Sequence, residues 1–178
     1  MNEPAKTCIL YTHEQIENTV KKLADEITRD YAGRKPLLVG ILKGSFMFMA
    51  DLVRHLNFPL EIEFVRVSSY GRNRQSSGKI HMVQGIRARI KDRHVLIVED
   101  IIDSGLSVNH VLESLRNKKP ASLKVCCLLD KPARRQVTVP VDYTGLTVPN
   151  KFLIGYGLDW AEQYRNLPNI CYLEDVEP

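Results

Sequence analysis

Apolar and polar positions alternate along this chain in two distinct periods. Behind Thr12 and Gln15, the apolar residues Ile16, Val20, Leu23, Ala24 and Ile27 recur at helical spacing. This predicts an amphipathic helix from about His13 to Tyr31, opened by a capping box and ended by Gly33 and Pro36. Leu37 to Leu42 is a continuous apolar run that reads as a buried strand, followed by KGS and a second helix over about Ser45 to Leu56. Glu61 to Val67, EIEFVRV, alternates as a half-buried strand does. A long polar loop, Ser68 to Gly78, follows; such loops are commonly functional. Val95 to Val98 is again wholly apolar, then comes EDIIDSG and a helix to about Asn117. Val125 to Leu129 repeats the strand pattern, and Lys151 to Ile154 predicts one more. Continuous apolar strands alternating with helices predict an α/β fold, a doubly wound and mostly parallel sheet covered on both faces. Ligands of such sheets collect beyond the carboxyl ends of the strands. Three loops leave from there: KGS after Leu42, EDIIDSGLS after Val98 and DKPARR after Leu129.

Length and composition narrow the class. A chain of 178 residues suits one domain with one core. MNEPAKTCIL has no basic segment leading into a long apolar stretch, so no secretory signal is expected. The apolar tract Gly44 to Ala50 is far too short to span a bilayer. Cys8, Cys126, Cys127 and Cys171 form no CxxC pair, which favours a reduced, cytoplasmic setting over a disulfide framework or a zinc site. The histidines form no metal-binding pair. The net charge of +4 is modest but unevenly placed. Between Arg66 and Arg93, Arg72, Arg74, Lys79, Arg87, Arg89 and Lys91 stand against a single acid, Asp92. That stretch is either a solvated hairpin or a cationic collar for a polyanion, a phosphorylated small molecule or RNA.

The segment HVLIVEDIIDSGLSV carries the most specific chemistry. An apolar strand delivers Glu99 and Asp100 at its end, Asp103 follows, and Ser104-Gly105-Leu106-Ser107 turns into a helix. Backbone amides of such a turn make an anion cradle, to which Ser104 and Ser107 add hydroxyls. Paired carboxylates beside it suit the vicinal hydroxyls of a sugar or a divalent cation. Asp103 or Ser104 as a mere helix cap would leave the other two acids unexplained. Three neighbouring carboxylates repel one another unless a cation or sugar hydroxyls offset the charge.

This segment resembles the phosphoribosyl-pyrophosphate signature of type I phosphoribosyltransferases, and the chain from Tyr11 to Leu173 is similar to their bacterial hypoxanthine branch. The resemblance implies one phosphoribosyltransferase domain over residues 1–178, with a small hood from the terminal segments and a mobile lid over about 68–80. It implies that Glu99 and Asp100 contact the ribose hydroxyls and, with Asp159, place Mg2+. Asp103 becomes the general base or acid at the purine N7, and Ser104, Gly105, Leu106 and Ser107 bind the 5′-phosphate. Lys43 and Gly44 belong to a pyrophosphate loop with a cis peptide at Leu42–Lys43, Arg165 binds pyrophosphate, and Ser69-Tyr70 heads the lid. Arg72 and Arg74 lie in the same loop without a fixed role. Lys131 donates to the 6-oxo group of the base, Phe152 stacks on the ring, and the backbone of Leu153 bonds its edge.

The chain departs from many relatives in ending its signature GLS, so Leu106 offers only its amide. The implied activity is transfer of phosphoribosyl to hypoxanthine or guanine for purine salvage by a cytoplasmic homodimer or homotetramer, with no membrane or nucleic-acid partner. Two alternatives keep the scaffold. One is a xanthine-preferring enzyme. The other is an RNA-binding regulator of the pyrimidine-attenuation kind, which the basic stretch permits and Lys131 with Phe152 oppose. Adenine is disfavoured because its amino group would meet the Lys131 ammonium, donor against donor.

Overall fold

The computed structural model describes residues 6–69 and 80–174. Tyr70, Arg72, Arg74 and most of the expected lid lie outside them. Strand β1 (Thr7–Tyr11) leads into helix α1 (His13–Tyr31), and β2 (Leu37–Leu42) into α2 (Phe46–Arg54). Strands β3 (Glu61–Ser69) and β4 (Ile80–Gln84) precede β5 (His94–Ile102), α3 (Leu106–Arg116) and β6 (Ser122–Asp130). One 3-10 turn (Pro132–Arg134), then β7 (Tyr143–Thr147), β8 (Leu153–Ile154) and β9 (Ile170–Leu173), complete the order.

The main sheet has six strands in the order β4-β3-β2-β5-β6-β7, parallel throughout except for antiparallel β4 at one edge. Alternate residues of the central strands feed two cores. Leu38, Leu96, Val98, Cys126 and Leu128 pack under α1 and α2, while Leu37, Val39, Val95, Ile97, Val125 and Cys127 pack under α3. Burial on both faces is why these strands read as unbroken apolar runs. A second, three-stranded antiparallel sheet, β1-β9-β8, draws its strands from both ends of the chain.

Helix α1 starts and stops where its pattern predicts. Thr12 Oγ1 accepts from Gln15 N–H at 3.3 Å, and Gln15 Oε1 accepts from Thr12 N–H at 2.9 Å. Ile16, Val20, Leu23, Ala24, Ile27 and Tyr31 are buried along one stripe. Each large member contributes about 1.5–3 kcal/mol by leaving water.

Several boundaries differ from expectation for local reasons. Strand β5 does not stop at Val98. It stays paired with β6 through Ile102↔Asp130, so the acid pair sits within the ladder. Helix α2 ends at Arg54, short of Leu56, where the His55 N–H bonds back to Leu52. Only Leu153 and Ile154 of the expected 151–154 strand are extended against a partner, Tyr172 and Cys171 of β9. All four cysteines are free. Among the described residues, no helix is long and apolar enough to cross a membrane.

Candidate active site

The carboxyl ends of β2 and β5 open onto a cavity of about 500 Å³. Its lining includes Lys43, Gly44, Glu99, Asp100, Ser107, Asp159, Glu162 and Arg165. A smaller hollow of about 80 Å³, lined by Asp103, Ser104, Gly105 and Val108, shares Glu99 and Ser107 with it. The two spaces therefore meet at Glu99 and the start of α3.

The β2 end is shaped by backbone. The Leu42–Lys43 peptide is cis. Ser45 is fully buried and its hydroxyl donates to the Ile41 carbonyl at 2.7 Å, closing the turn before α2. Gly44 is wedged tightly: a Cβ there would overlap the Asp100 carboxylate, and a Cβ on Gly157 would overlap the Gly44 carbonyl. Only glycine at 44 lets the loop backbone lie against the acid.

The β5 end supplies charge. Glu99 and Asp100 are 7% and 8% exposed, and Glu99 Oε2 is buried without a hydrogen-bond partner. Burial, and then the neighbouring Asp100, push the Glu99 carboxyl well above its ordinary range. Burial also raises Asp100 to about 6, although its own and the Ile101 amides pull the other way. A buried, repelling acid pair of this kind wants a cation or hydroxyl donors. Asp103 is half-buried. Its Oδ2 lies 3.9 Å from Lys131 Nζ and 3.8 Å from Arg134 Nη1, and its Oδ1 is buried without a partner.

After Asp103 the chain turns through Gly105, at φ +84, into α3. A Cβ on Gly105 would press on the Val137 carbonyl at 2.8 Å, so the turn tolerates little else. The Leu106 amide meets Ser104 Oγ at 3.3 Å, and with Ser107 it opens the helix whose N-terminal amides suit an anion. Arg135 fastens this turn from behind. It donates to the carbonyls of Asp103 and Ile102, both at 3.1 Å, and pairs with Asp130. In the sequence Arg135 stands within DKPARR with no role of its own; a doubled arginine beside a signature loop is the available signal.

Lys131 is only 3% exposed. Its ammonium donates to the Lys151 carbonyl at 2.8 Å, and burial lowers its pKa, partly opposed by Asp103. Phe152 and Leu153 follow Lys151 directly, so Lys131 links Asp103 to that segment. The Phe152 carbonyl already accepts from the Leu173 amide at 3.1 Å. Neither cavity above is lined by Lys131, Phe152 or Leu153, which stand beyond Asp103.

On the far wall, Arg165 binds Asp159 at 2.7 Å and donates to the Gly157 carbonyl at 2.7 Å. Lys43 and Arg165 both reach Glu162, an acid that sequence reasoning passed over. Ser69 ends β3; its side chain and all of Tyr70 are outside the description.

The acids also bear on whether a divalent cation fits. Among the described residues, no three His, Cys, Asp or Glu side chains converge as a ready-made metal cage. Magnesium, however, is commonly held by one or two carboxylates with substrate phosphates and water completing its shell. The unpartnered Glu99 oxygen and the raised Asp100 fit that arrangement.

Residues 7–160 match the phosphoribosyl transferase domain family. The chain is 48% identical over 167 residues to the hypoxanthine-guanine phosphoribosyltransferase of Streptococcus pneumoniae, covering 94% of this chain and 93% of that protein. The chain belongs to this family. The hypoxanthine-guanine phosphoribosyltransferase of Aquifex aeolicus is 46% identical, with 96% of each covered. Among solved structures, hypoxanthine phosphoribosyltransferase from Trypanosoma cruzi in complex with the product IMP superposes with a TM-score of 0.88 at 43% identity, covering 98% of this chain and 97% of that one.

Proposed function

We propose that the chain transfers the 5-phosphoribosyl group of phosphoribosyl pyrophosphate to hypoxanthine or guanine, giving IMP or GMP and pyrophosphate. The observation that carries this is the meeting of three chemistries at the carboxyl end of one sheet: a glycine turn for phosphate, a buried acid pair, and a buried lysine beside Asp103. The IMP bound by the Trypanosoma relative supports the same reading.

In this account the 5′-phosphate sits on the amides of residues 104–107 with the Ser104 and Ser107 hydroxyls. Glu99 and Asp100 hold the ribose hydroxyls. One or two of Glu99, Asp100 and Asp159, with substrate oxygens and water, would also hold Mg2+, which supplies positive charge to the departing pyrophosphate when bound. The Gly44 backbone, Lys43 and Arg165 receive that pyrophosphate. Lys131 donates to the 6-oxo group, Phe152 stacks on the purine and the Leu153 backbone bonds its edge. The base nitrogen attacks the anomeric carbon from the face opposite pyrophosphate as Asp103 accepts the N7 proton. Positioning and fixed charge supply most of the rate. Ser69 and Tyr70 head a lid over residues 68–80 that keeps water from the sugar cation. A cytoplasmic homo-oligomer, dimer or tetramer, completes the reading.

The test is turnover of native and Asp103→Asn chains with hypoxanthine, phosphoribosyl pyrophosphate and magnesium. IMP and pyrophosphate should appear in equal amounts from the native chain. The variant should lose about 10²–10⁴ in kcat while binding phosphoribosyl pyrophosphate as before. Unchanged turnover in the variant would remove Asp103 from the proton transfer.

A further inference from the structure

We propose that Glu162 is a built-in stand-in for pyrophosphate, which the leaving group must displace, and that it thereby weakens retention of pyrophosphate. This rests on the reading of the larger cavity as the pyrophosphate site. Glu162 Oε2 lies 2.7 Å from Lys43 Nζ and 3.3 Å from Arg165 Nη2. Those are the two cations assigned to pyrophosphate, and one carboxylate bridges both of them. A phosphate oxygen would seek the same two donors in the same place.

Structural need does not explain the contact. The Glu162 side chain is 65% exposed, and ion pairs that open to solvent stabilise a fold very little. The turn that carries it is nonetheless held in a costly form. Ala161 and Glu162 both take left-handed backbone conformations, at φ +51 and +66, without being glycine. Such residues persist only where their surroundings over-determine them. Here the Glu162 amide donates to Asp159 Oδ2 at 2.9 Å, and Trp160 and Gln163 exchange backbone hydrogen bonds at 3.2 and 3.0 Å. The result is an acid kept on the cavity wall, over Lys43 and over an Arg165 that Asp159 and the Gly157 carbonyl already hold in place.

The consequence is functional. Lys43 and Arg165 attract the diphosphate of the substrate and the released product alike. Binding both equally tightly raises retention without lowering the barrier, and product release limits many enzymes. A resident acid that returns to both cations as pyrophosphate leaves lowers the affinity for the diphosphate group, on the substrate and on the released ion alike. It leaves the base pocket around Lys131 and Phe152 untouched.

The test is calorimetric titration of the full chain with inorganic pyrophosphate in the presence of magnesium. Glu162→Gln should bind it about tenfold tighter than the native chain, the sum of two partly exposed charge contacts. Glu162→Asp keeps the charge but draws the carboxylate back by one methylene, and should also bind tighter, about threefold. In turnover, KM for phosphoribosyl pyrophosphate should fall and inhibition by pyrophosphate should strengthen, with KM for hypoxanthine unchanged. Native or weaker affinity in Glu162→Gln would overturn the inference. So would a Glu162→Asp chain at native affinity beside a tighter Glu162→Gln, because simple repulsion at a distance would then suffice. A native chain that fails to bind pyrophosphate at all would instead refute the cavity's assignment.

Discussion

Strands β2 and β5 lie side by side, paired in parallel from Leu37 with Val95 to Gly40 with Val98, and each enters a helix through a turn of small residues. Their endings differ. The β2 end contributes backbone: a cis peptide, a buried serine that closes the turn and a glycine pressed against its neighbour. The β5 end contributes buried carboxylates and a helix N-terminus. Neither is a site alone. The acids of β5 are tolerable only if something neutralises them, and Gly44, just after β2, is required because Asp100 stands where a side chain would be. The difference teaches that the strands fix position while the residues at their last turns decide chemistry.

Breaking the contact between the two ends should have the largest effect. Gly44→Ala puts a methyl group into the Asp100 carboxylate, and one end must shift. We expect kcat/KM to fall by about 100-fold or more, the scale of a displacement near 1 Å at a reacting centre. Gly85→Ala serves as the control. Its Cβ would meet only Met82 Cγ at 3.9 Å, and kinetics should not change.

Lys131→Met tests the base side separately. The lysine is buried, with a carbonyl as its nearest partner. Losing its donor should raise KM for hypoxanthine about 10- to 100-fold, the loss of a hydrogen bond from a charged group. KM for phosphoribosyl pyrophosphate should move little. Equal changes in both would blur the division between the sugar-phosphate side and the base side.

The acid pair makes a pH prediction. Asp100 titrates near 6 in the fold against an ordinary value of 3.8, so the folded chain holds that proton more tightly than the unfolded one. Ligand-free stability should therefore fall as pH rises from about 4 to about 6, by about 3 kcal/mol from this group. Asp100→Asn should flatten that part of the profile in urea unfolding. A steeper profile in the variant would contradict the assignment of the shift to Asp100. The smallest effect belongs far from the site: Thr12→Ala should cost about 1 kcal/mol, read as a Tm lower by about 2–4 °C, without altering kinetics.

Much of the β5 end was legible in the sequence, because acids at the end of an apolar strand break a strong pattern. Helix α1 was legible to the residue, since Thr12 and Gln15 mark its start chemically. The β2 end was far less so. KGS is an ordinary turn until Asp100 is seen beside Gly44, and no local rule links residues 56 positions apart in that way. In the small sheet, β8 fell within the expected 151–154 strand, but β1 and β9 escaped for the same reason: these short strands pair residues from opposite ends, such as Thr7 with Leu173. Glu162 was hidden because an exposed glutamate carries no periodic signal, and only the positions of Lys43 and Arg165 give it meaning.

The most direct test offers hypoxanthine, guanine, xanthine and adenine separately to the native chain with phosphoribosyl pyrophosphate and magnesium, and follows nucleotide formation. The account predicts turnover with hypoxanthine or guanine and none with adenine, whose amino group meets the Lys131 ammonium donor against donor. Adenine turned over as readily as hypoxanthine would contradict the role given to Lys131. No nucleotide from any purine, with folded protein, would contradict the proposed activity itself.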